Sequence, residues 1–396
     1  MPAHRGDRSR SRVRPRLSVA VLAASAAVAA LVQPAQATGT PPPPDRALHK
    51  LLDDVVRTPG GPPGVIALMR QGERTAVYRA GVADIRTGRP PRTTDHMRVA
   101  SVAKAFSGAV ALRLVDRDKL DLDDTIGELL PSLPAAWHQV TLRQLLSHTS
   151  GLPDFSTAPA FIEILQEDPR HRFDSRRLLD FVAGKDLVFP PGSRYEYSNS
   201  DNIAVALMAE AVTGQRYEHL LEQLVYRPLG LKQTSLPQGY RLPRPYLHGY
   251  DVTPPAAPED ISEVLSASGV WASGGIVSTP KDLNAFVRAW AGGPGFLSRE
   301  TRKQQRTFIP GAASEPAGPG VNAGGLAIFR YQTRCGTVYG HTGNFPGYTQ
   351  LAVGTADGKR SLTFSINTQT SKSLKPDLLA KVRTVQEDFV CALLQH

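Results

Sequence analysis

Val65-Ile66-Ala67-Leu68-Met69-Arg70-Gln71-Gly72-Glu73-Arg74-Thr75-Ala76-Val77-Tyr78-Arg79-Ala80 decides the architecture. Val65–Arg70 and Thr75–Ala80 are runs rich in β-forming residues, and Gln71-Gly72-Glu73 between them is a turn. Upstream, Leu48, Leu51, Leu52, Val55 and Val56 recur at a helical period through Arg46–Arg57, and Gly60-Gly61-Pro62-Pro63-Gly64 stops that helix. A helix followed by two strands on a short turn predicts an antiparallel sheet with a helix packed on it. A βαβ unit would need a crossover between its strands.

Outward from this hairpin, Ala103 to about Thr234 carries helical patterns at Ala105–Asp116, Thr141–Ser147, Asn202–Thr213 and Tyr217–Val225. Pro153, Pro190-Pro191-Gly192, Pro228 and Gly230 punctuate them, and the prolines of 236–260 predict irregular loop. After Ser262 strands return, beginning with a Gly-rich apolar run over Ser268–Ser278. Thr279-Pro280-Lys281-Asp282 caps a helix over Leu283–Trp290. Strands are expected at Gly325–Tyr331, Thr337–Gly343 and Tyr348–Val353, with Asp357-Gly358 turning into Ser361–Asn367 and a closing helix over Asp377–Leu394. The predicted class is α+β. An antiparallel sheet flanked by helices is built from 46–108 and 261–396, and an all-helical domain, 109–260, is inserted between them.

The chain has 396 residues and a net charge of +10, which by itself would suit a nucleic-acid partner. The arginines between Arg5 and Arg16, however, precede an uncharged run from Leu17 to Val32 and Ala35-Gln36-Ala37, the layout of a cleaved secretory signal over 1–37. The apolar run is shorter than the ~20 residues that span a bilayer. Much of the basicity thus belongs to export, so neither nucleic acid nor a stable membrane anchor is expected. Residues 38–45, with Pro41-Pro42-Pro43-Pro44, form a stiff linker. Cys335 and Cys391 are the chain's two cysteines, and in an oxidising compartment they read as one disulfide, with two buried thiols as the alternative.

No serine has glycine at both −2 and +2, and neither His-Glu-x-x-His nor Cys-x-x-Cys occurs, so an α/β-hydrolase elbow and zinc lack support. Ser-x-x-Lys occurs at Ser278, where Pro280 marks a helix start, and at Ser101-Val102-Ala103-Lys104. In the latter, a spacing of three puts hydroxyl and amine on one face of a helical turn. The amine can take the serine proton only when neutral, a state favoured by burial or a nearby positive charge. Tyr197-Ser198-Asn199 lies in a turn-rich loop, either facing a cleft or as a buried tyrosine with a capping asparagine. His341-Thr342-Gly343 follows a predicted strand. Its glycine admits a ligand backbone and its threonine can hold a carboxylate, or the histidine is a core residue beside a turn.

In order and spacing these three elements resemble the penicillin-recognising serine hydrolase family. So do Leu145-Leu146-Ser147-His148-Thr149-Ser150-Gly151-Leu152-Pro153, Pro191-Gly192-Ser193 and Ser273-Gly274-Gly275. The resemblance implies a β-lactamase/transpeptidase-like fold, a Ser101 nucleophile, a Lys104 base and a Tyr197 proton donor. It also implies substrate binding by Asn199, His341, Thr342, Gly343 and Asn344, with an oxyanion between the N–H groups of Ser101 and Asn344. A positive field at a protonated His341 would help bind a substrate carboxylate, no metal or cofactor is implied, and His148 and Ser150 are structural. His341, the export signal and the late cysteine pair are most similar to secreted actinomycete D-alanyl-D-alanine carboxypeptidases. That similarity implies a monomer on the cell-wall side that cleaves peptidoglycan stem peptides or another small acyl substrate and is inhibited by β-lactams. The pattern departs at Phe329, where those enzymes carry an arginine that grips the substrate carboxylate, and Arg330 is its neighbour. β-Lactamase, esterase and D-amino-acid peptidase activity, or a non-catalytic penicillin-binding module, are therefore the alternatives. Trp271 is read as lining the cleft or packing in the core.

Overall fold

The computed structural model describes residues 45–395, so the expected signal over 1–37 and nearly all of the 38–45 linker lie outside the described residues. An eight-stranded sheet is formed by β1 (Gly64–Gln71), β2 (Arg74–Gly81), β3 (Ile309–Pro310), β4 (Val321–Gly324), β5 (Phe329–Thr333), β6 (Gly336–Phe345), β7 (Tyr348–Gly354) and β8 (Arg360–Ile366), in the order β2-β1-β8-β7-β6-β5-β4-β3. Every pairing is antiparallel. The opening hairpin runs in register from Gly64↔Gly81 to Gln71↔Arg74, and Gly72 supplies the positive φ of its turn. β8 lies beside β1, Val65 opposite Ile366, so both ends of the chain close one sheet.

Alternation sends Val65, Ala67 and Met69 to one face. There they meet Leu48, Leu52 and Val55 of α1 (Asp45–Val56) and Val382 and Phe389 of a C-terminal helix, Pro376–Leu394. Each fully buried side chain of this kind contributes about 2 kcal/mol. The other face packs on the helix Pro280–Gly292, which Thr279 caps by accepting from the Asp282 N–H at 3.2 Å. No strand of this sheet comes from residues 82–308; helices there include α2 (Ala103–Val115) and α3 (Asn199–Thr213). α2 is buried on all sides, and Phe106 stacks on Phe286 with ring centroids 3.6 Å apart. One continuous apolar cluster joins these helices to the sheet. Among the described residues no helix is long and apolar enough to cross a membrane.

Two expected elements differ. Gly325–Tyr331 is not one strand: the chain turns at Gly325, whose N–H donates to Ile328 O, and Ala327 sits at φ 53° before β5 begins at Phe329. Gly324-Gly325 marks this turn, but the apolar Leu326-Ala327-Ile328 that follows reads as a continuing strand. Ser268–Ser278 is strand only at Val277–Ser278. Its earlier part coils as Ala267–Gly269 and Trp271–Gly274, because a short buried apolar run has no periodicity to separate coil from strand.

Candidate active site

Ser101 occupies a tight turn, Ala100–Val102, that leads into α2. Ala100 before it has φ 52°, a costly conformation for a residue with a Cβ and one that collects at functional sites. One turn on, the buried Lys104 Nζ lies 3.4 Å from Ser101 Oγ and donates to Asn199 Oδ1 at 2.7 Å and to Ser273 O at 2.9 Å. Burial holds this amine down at about 7, against the upward pull of Asp154 and Asp201. A neutral amine has two N–H groups and one lone pair. The two acceptors take the former, which leaves the lone pair for the serine hydroxyl.

Asn199, the first residue of α3, is fixed in turn. Its Nδ2 donates to Asp154 Oδ2 and to Ser156 Oγ, both at 3.0 Å, and its backbone N–H donates to Asp154 Oδ2. In this structure its side chain orients Lys104, and its polar atoms are all engaged within the protein. The Tyr197 ring lies with Lys104 Nζ 4.8 Å from its centroid and the His148 ring at 4.6 Å. Its hydroxyl is buried without a partner, and burial, opposed by the Ser101 hydroxyl, raises it far above the usual phenol range. His148, at φ 56°, contacts Asp201 Oδ2 through Nδ1 at 2.7 Å, and Ser150 Oγ donates to Asp201 Oδ1 at 2.5 Å. Burial pushes His148 down to about 3 and the Asp201 carboxyl well up, the latter opposed by the Ser150 hydroxyl. Ser150 is a hydrogen-bond partner of that carboxyl group.

The opposite wall is β6. Gly343 abuts the nucleophile turn: a Cβ there would stand 2.4 Å from Val99 O and 3.3 Å from Ser101 N. His341 lies two residues earlier, on the same face of the strand. Its Nδ1 is 2.5 Å from Thr342 O, and its Nε2 is buried without a partner. Burial drives it down to about 3, so the condition for a positive field here, a protonated ring, is not met near neutral pH. Thr342 Oγ1 donates to Pro316 O at 2.7 Å and is 2.5 Å from Ser314 Oγ. Asn344 Oδ1 accepts from Thr349 Oγ1 at 3.1 Å. Pairing with β5 ends at Gly340↔Phe329, so from His341 onward β6 has a strand neighbour only in β7.

The ring of Phe329 stands edge-on to His341 at 4.9 Å, whereas the Arg330 guanidinium sits 5.1 Å over Phe308. Trp271 is a core residue that donates to Glu218 Oε1 at 3.0 Å. Cys335 and Cys391 are bonded. Ser101, Lys104, Tyr197, Asn199, His341 and Gly343 therefore converge. The sequence reading missed Asp154, Asp201 and the Ser273 carbonyl, although Asp154 directly follows the quoted Leu152-Pro153 pair and Ser273 begins a segment already singled out.

The Beta-lactamase family model matches residues 52–386. Penicillin-binding protein 4* of Bacillus subtilis (strain 168) is 23% identical over 328 residues, covering 80% of this chain and 70% of that protein. Esterase EstB of Burkholderia gladioli is 28% identical over 326 residues, covering 70% of this chain and 81% of that protein. The solved structure of D-amino acid amidase from Ochrobactrum anthropi SV3, complexed with L-phenylalanine, superposes with a TM-score of 0.76 at 26% identity over 88% of this chain and 98% of that one.

Proposed function

The chain belongs to the beta-lactamase family of serine hydrolases, and we propose from that premise that it is an exported amidohydrolase acting on D-amino-acid amides and D-alanyl-type peptides through an acyl-enzyme at Ser101. The observation that carries this reading is the geometry of Lys104, whose two fixed acceptors leave its lone pair to Ser101 Oγ at 3.4 Å. Neutral Lys104 takes the hydroxyl proton as Ser101 Oγ bonds to the substrate carbonyl carbon. The oxyanion is met by the Ser101 N–H and, on the family pattern, by that of Asn344. As the carbonyl–nitrogen bond breaks, the Tyr197 hydroxyl passes its proton to the departing amine and is replenished from Lys104. A water molecule then attacks the ester, with Lys104 again as the base, and Ser101 is released.

The D-configured substrate class is supported by the likeness to the D-amino acid amidase. Export is supported by the arginine-then-apolar pattern of 1–37 and by the Cys335–Cys391 bond, and outside the cell peptidoglycan stem peptides are within reach. Esterase activity is the second reading, favoured by the apolar Phe329 ring beside His341. Intact-mass spectrometry with p-nitrophenyl acetate and with a penicillin tests the chemistry. One acyl adduct is expected, lost in Ser101→Ala; an adduct that survives that substitution sinks the mechanism.

A further inference from the structure

Tyr197 is the proton donor to the departing group in the mechanism above, so that group leaves along the side of the cleft where the His341 ring stands, 6.5 Å from the Tyr197 ring. Thr342 O can only accept, so the 2.5 Å contact obliges His341 Nδ1 to carry the ring proton. In the neutral ring that burial favours, Nε2 is then a lone pair, buried and without a partner among the described residues. The Thr342 hydroxyl, the natural donor to a carboxylate, is bound to Pro316 O and Ser314. Phe329 adds an apolar edge, and the guanidinium next to it lies over Phe308. A carboxylate placed against His341 would face an acceptor and a hydrocarbon, whereas an N–H group would satisfy the open Nε2.

Resting on the reading of Ser101 as the nucleophile, we infer that the leaving-group end of the cleft selects departing groups that present N–H donors and carry no carboxylate, with His341 Nε2 as the acceptor that reads them. The substrate class is thereby narrowed to simple amides and C-terminally amidated peptides, in preference to peptides ending in a free carboxylate. A buried acceptor left unpaired against an anion forfeits its hydrogen bond in the transition state, and polar sites of this kind discriminate strongly.

The test is a matched pair, N-acetyl-D-alanyl-D-alanine and its C-terminal carboxamide, with cleavage read as release of D-alanine or D-alaninamide from the shared N-acetyl-D-alanyl group and loss of ammonia from the carboxamide counted separately. The expected kcat/KM ratio favours the carboxamide by about tenfold or more, and His341→Lys, which replaces the acceptor with a cation, is expected to shift it toward the free acid. A wild-type ratio below about threefold overturns the inference whether or not the variant folds. So does a failure to cleave either peptide when p-nitrophenyl acetate still acylates Ser101. Absence of acylation by that ester instead removes the nucleophile reading beneath it, so the two failures are distinguishable.

Discussion

Lys104 on one wall of the cleft and His341 on the other are treated in opposite ways. On the helical wall Lys104, Asn199 and Asp154 answer one another, and the chain of contacts ends on a backbone carbonyl at Ser273. On the strand wall His341 keeps one nitrogen unanswered, and β6 from His341 onward lacks a β5 neighbour. A closed network fixes a protonation state and a direction, which a general base requires. An open strand edge and an unpaired acceptor have no partner until substrate supplies one. On the proposed mechanism the helical wall sets the chemistry, and the strand wall sets what is admitted to it.

Removing the base should have the largest effect. Lys104→Ala is expected to slow acylation of Ser101 by about a thousandfold or more. Lys104→Arg should be no better, because a guanidinium stays protonated and has no lone pair to offer. Stopped-flow release of p-nitrophenol measures both. Acylation at a near-native rate in either variant would move the base off the helical wall and break the contrast.

Gly343→Ala attacks the seam between the walls. The added methyl meets Val99 O at 2.4 Å and approaches Ser101 N, so the nucleophile turn must shift by roughly an ångström. A misplacement of that size costs about a hundredfold in kcat/KM, with the circular dichroism spectrum unchanged. A loss smaller than tenfold would mean that the turn yields without moving the serine.

What the sequence disclosed and what it hid follow from the range of each interaction. Ser101-x-x-Lys104, Tyr197-x-Asn199 and His341-Thr342-Gly343 are local, and so is the β1–β2 hairpin with its Gly72 turn; spacing and residue type expose such features. The position of Lys104 relative to Asn199 crosses 95 residues, and that of Ser150 relative to Asp201 crosses 51. Ser273 contributes a carbonyl, which every residue has, so no residue type could announce it. The contacts of the Asn199 amide with Lys104 and Asp154 are likewise set by the fold, and no local pattern names them. Whether the histidine is charged was open in the sequence for the same reason. Burial moves His341 down to about 3, and burial is a property of the whole fold.

A pH profile sharpens the contrast at an intermediate scale. Lys104 is lowered to about 7 and is active when neutral, so kcat/KM should rise through pH 7, by about tenfold between pH 6 and 8. His341 and His148, both lowered to about 3, are neutral throughout that interval and should add no limb of their own. Tyr197 is raised far above the usual phenol range, so activity should not fall again below pH 10. A descending limb near pH 6 to 8 would place a protonated histidine in the site, contrary to the strand wall described above.

The smallest effect on turnover is expected from the one covalent tie. Cys335 precedes β6 and bonds to Cys391 across a separation of 56 residues, fastening the far end of the strand wall to the C-terminal helix. By chain entropy such a bond contributes about 4 kcal/mol of stability. Arg334 pairs with Glu387 and Asp388 alongside it, so part of the attachment persists after the bond is removed. His341 lies six residues farther along the strand, at about 3.3 Å per residue, or roughly 20 Å away. β7 pairs with that working end from Tyr339 to Phe345 independently of the disulfide. Replacing both cysteines by serine should thus lower the melting temperature by several degrees and leave kcat/KM within about twofold of wild type. A tenfold loss of activity in protein that is still folded at the assay temperature would show that the open end of β6 depends on its distant anchor. The strand wall would then be held from outside the cleft, where the helical wall is held from within.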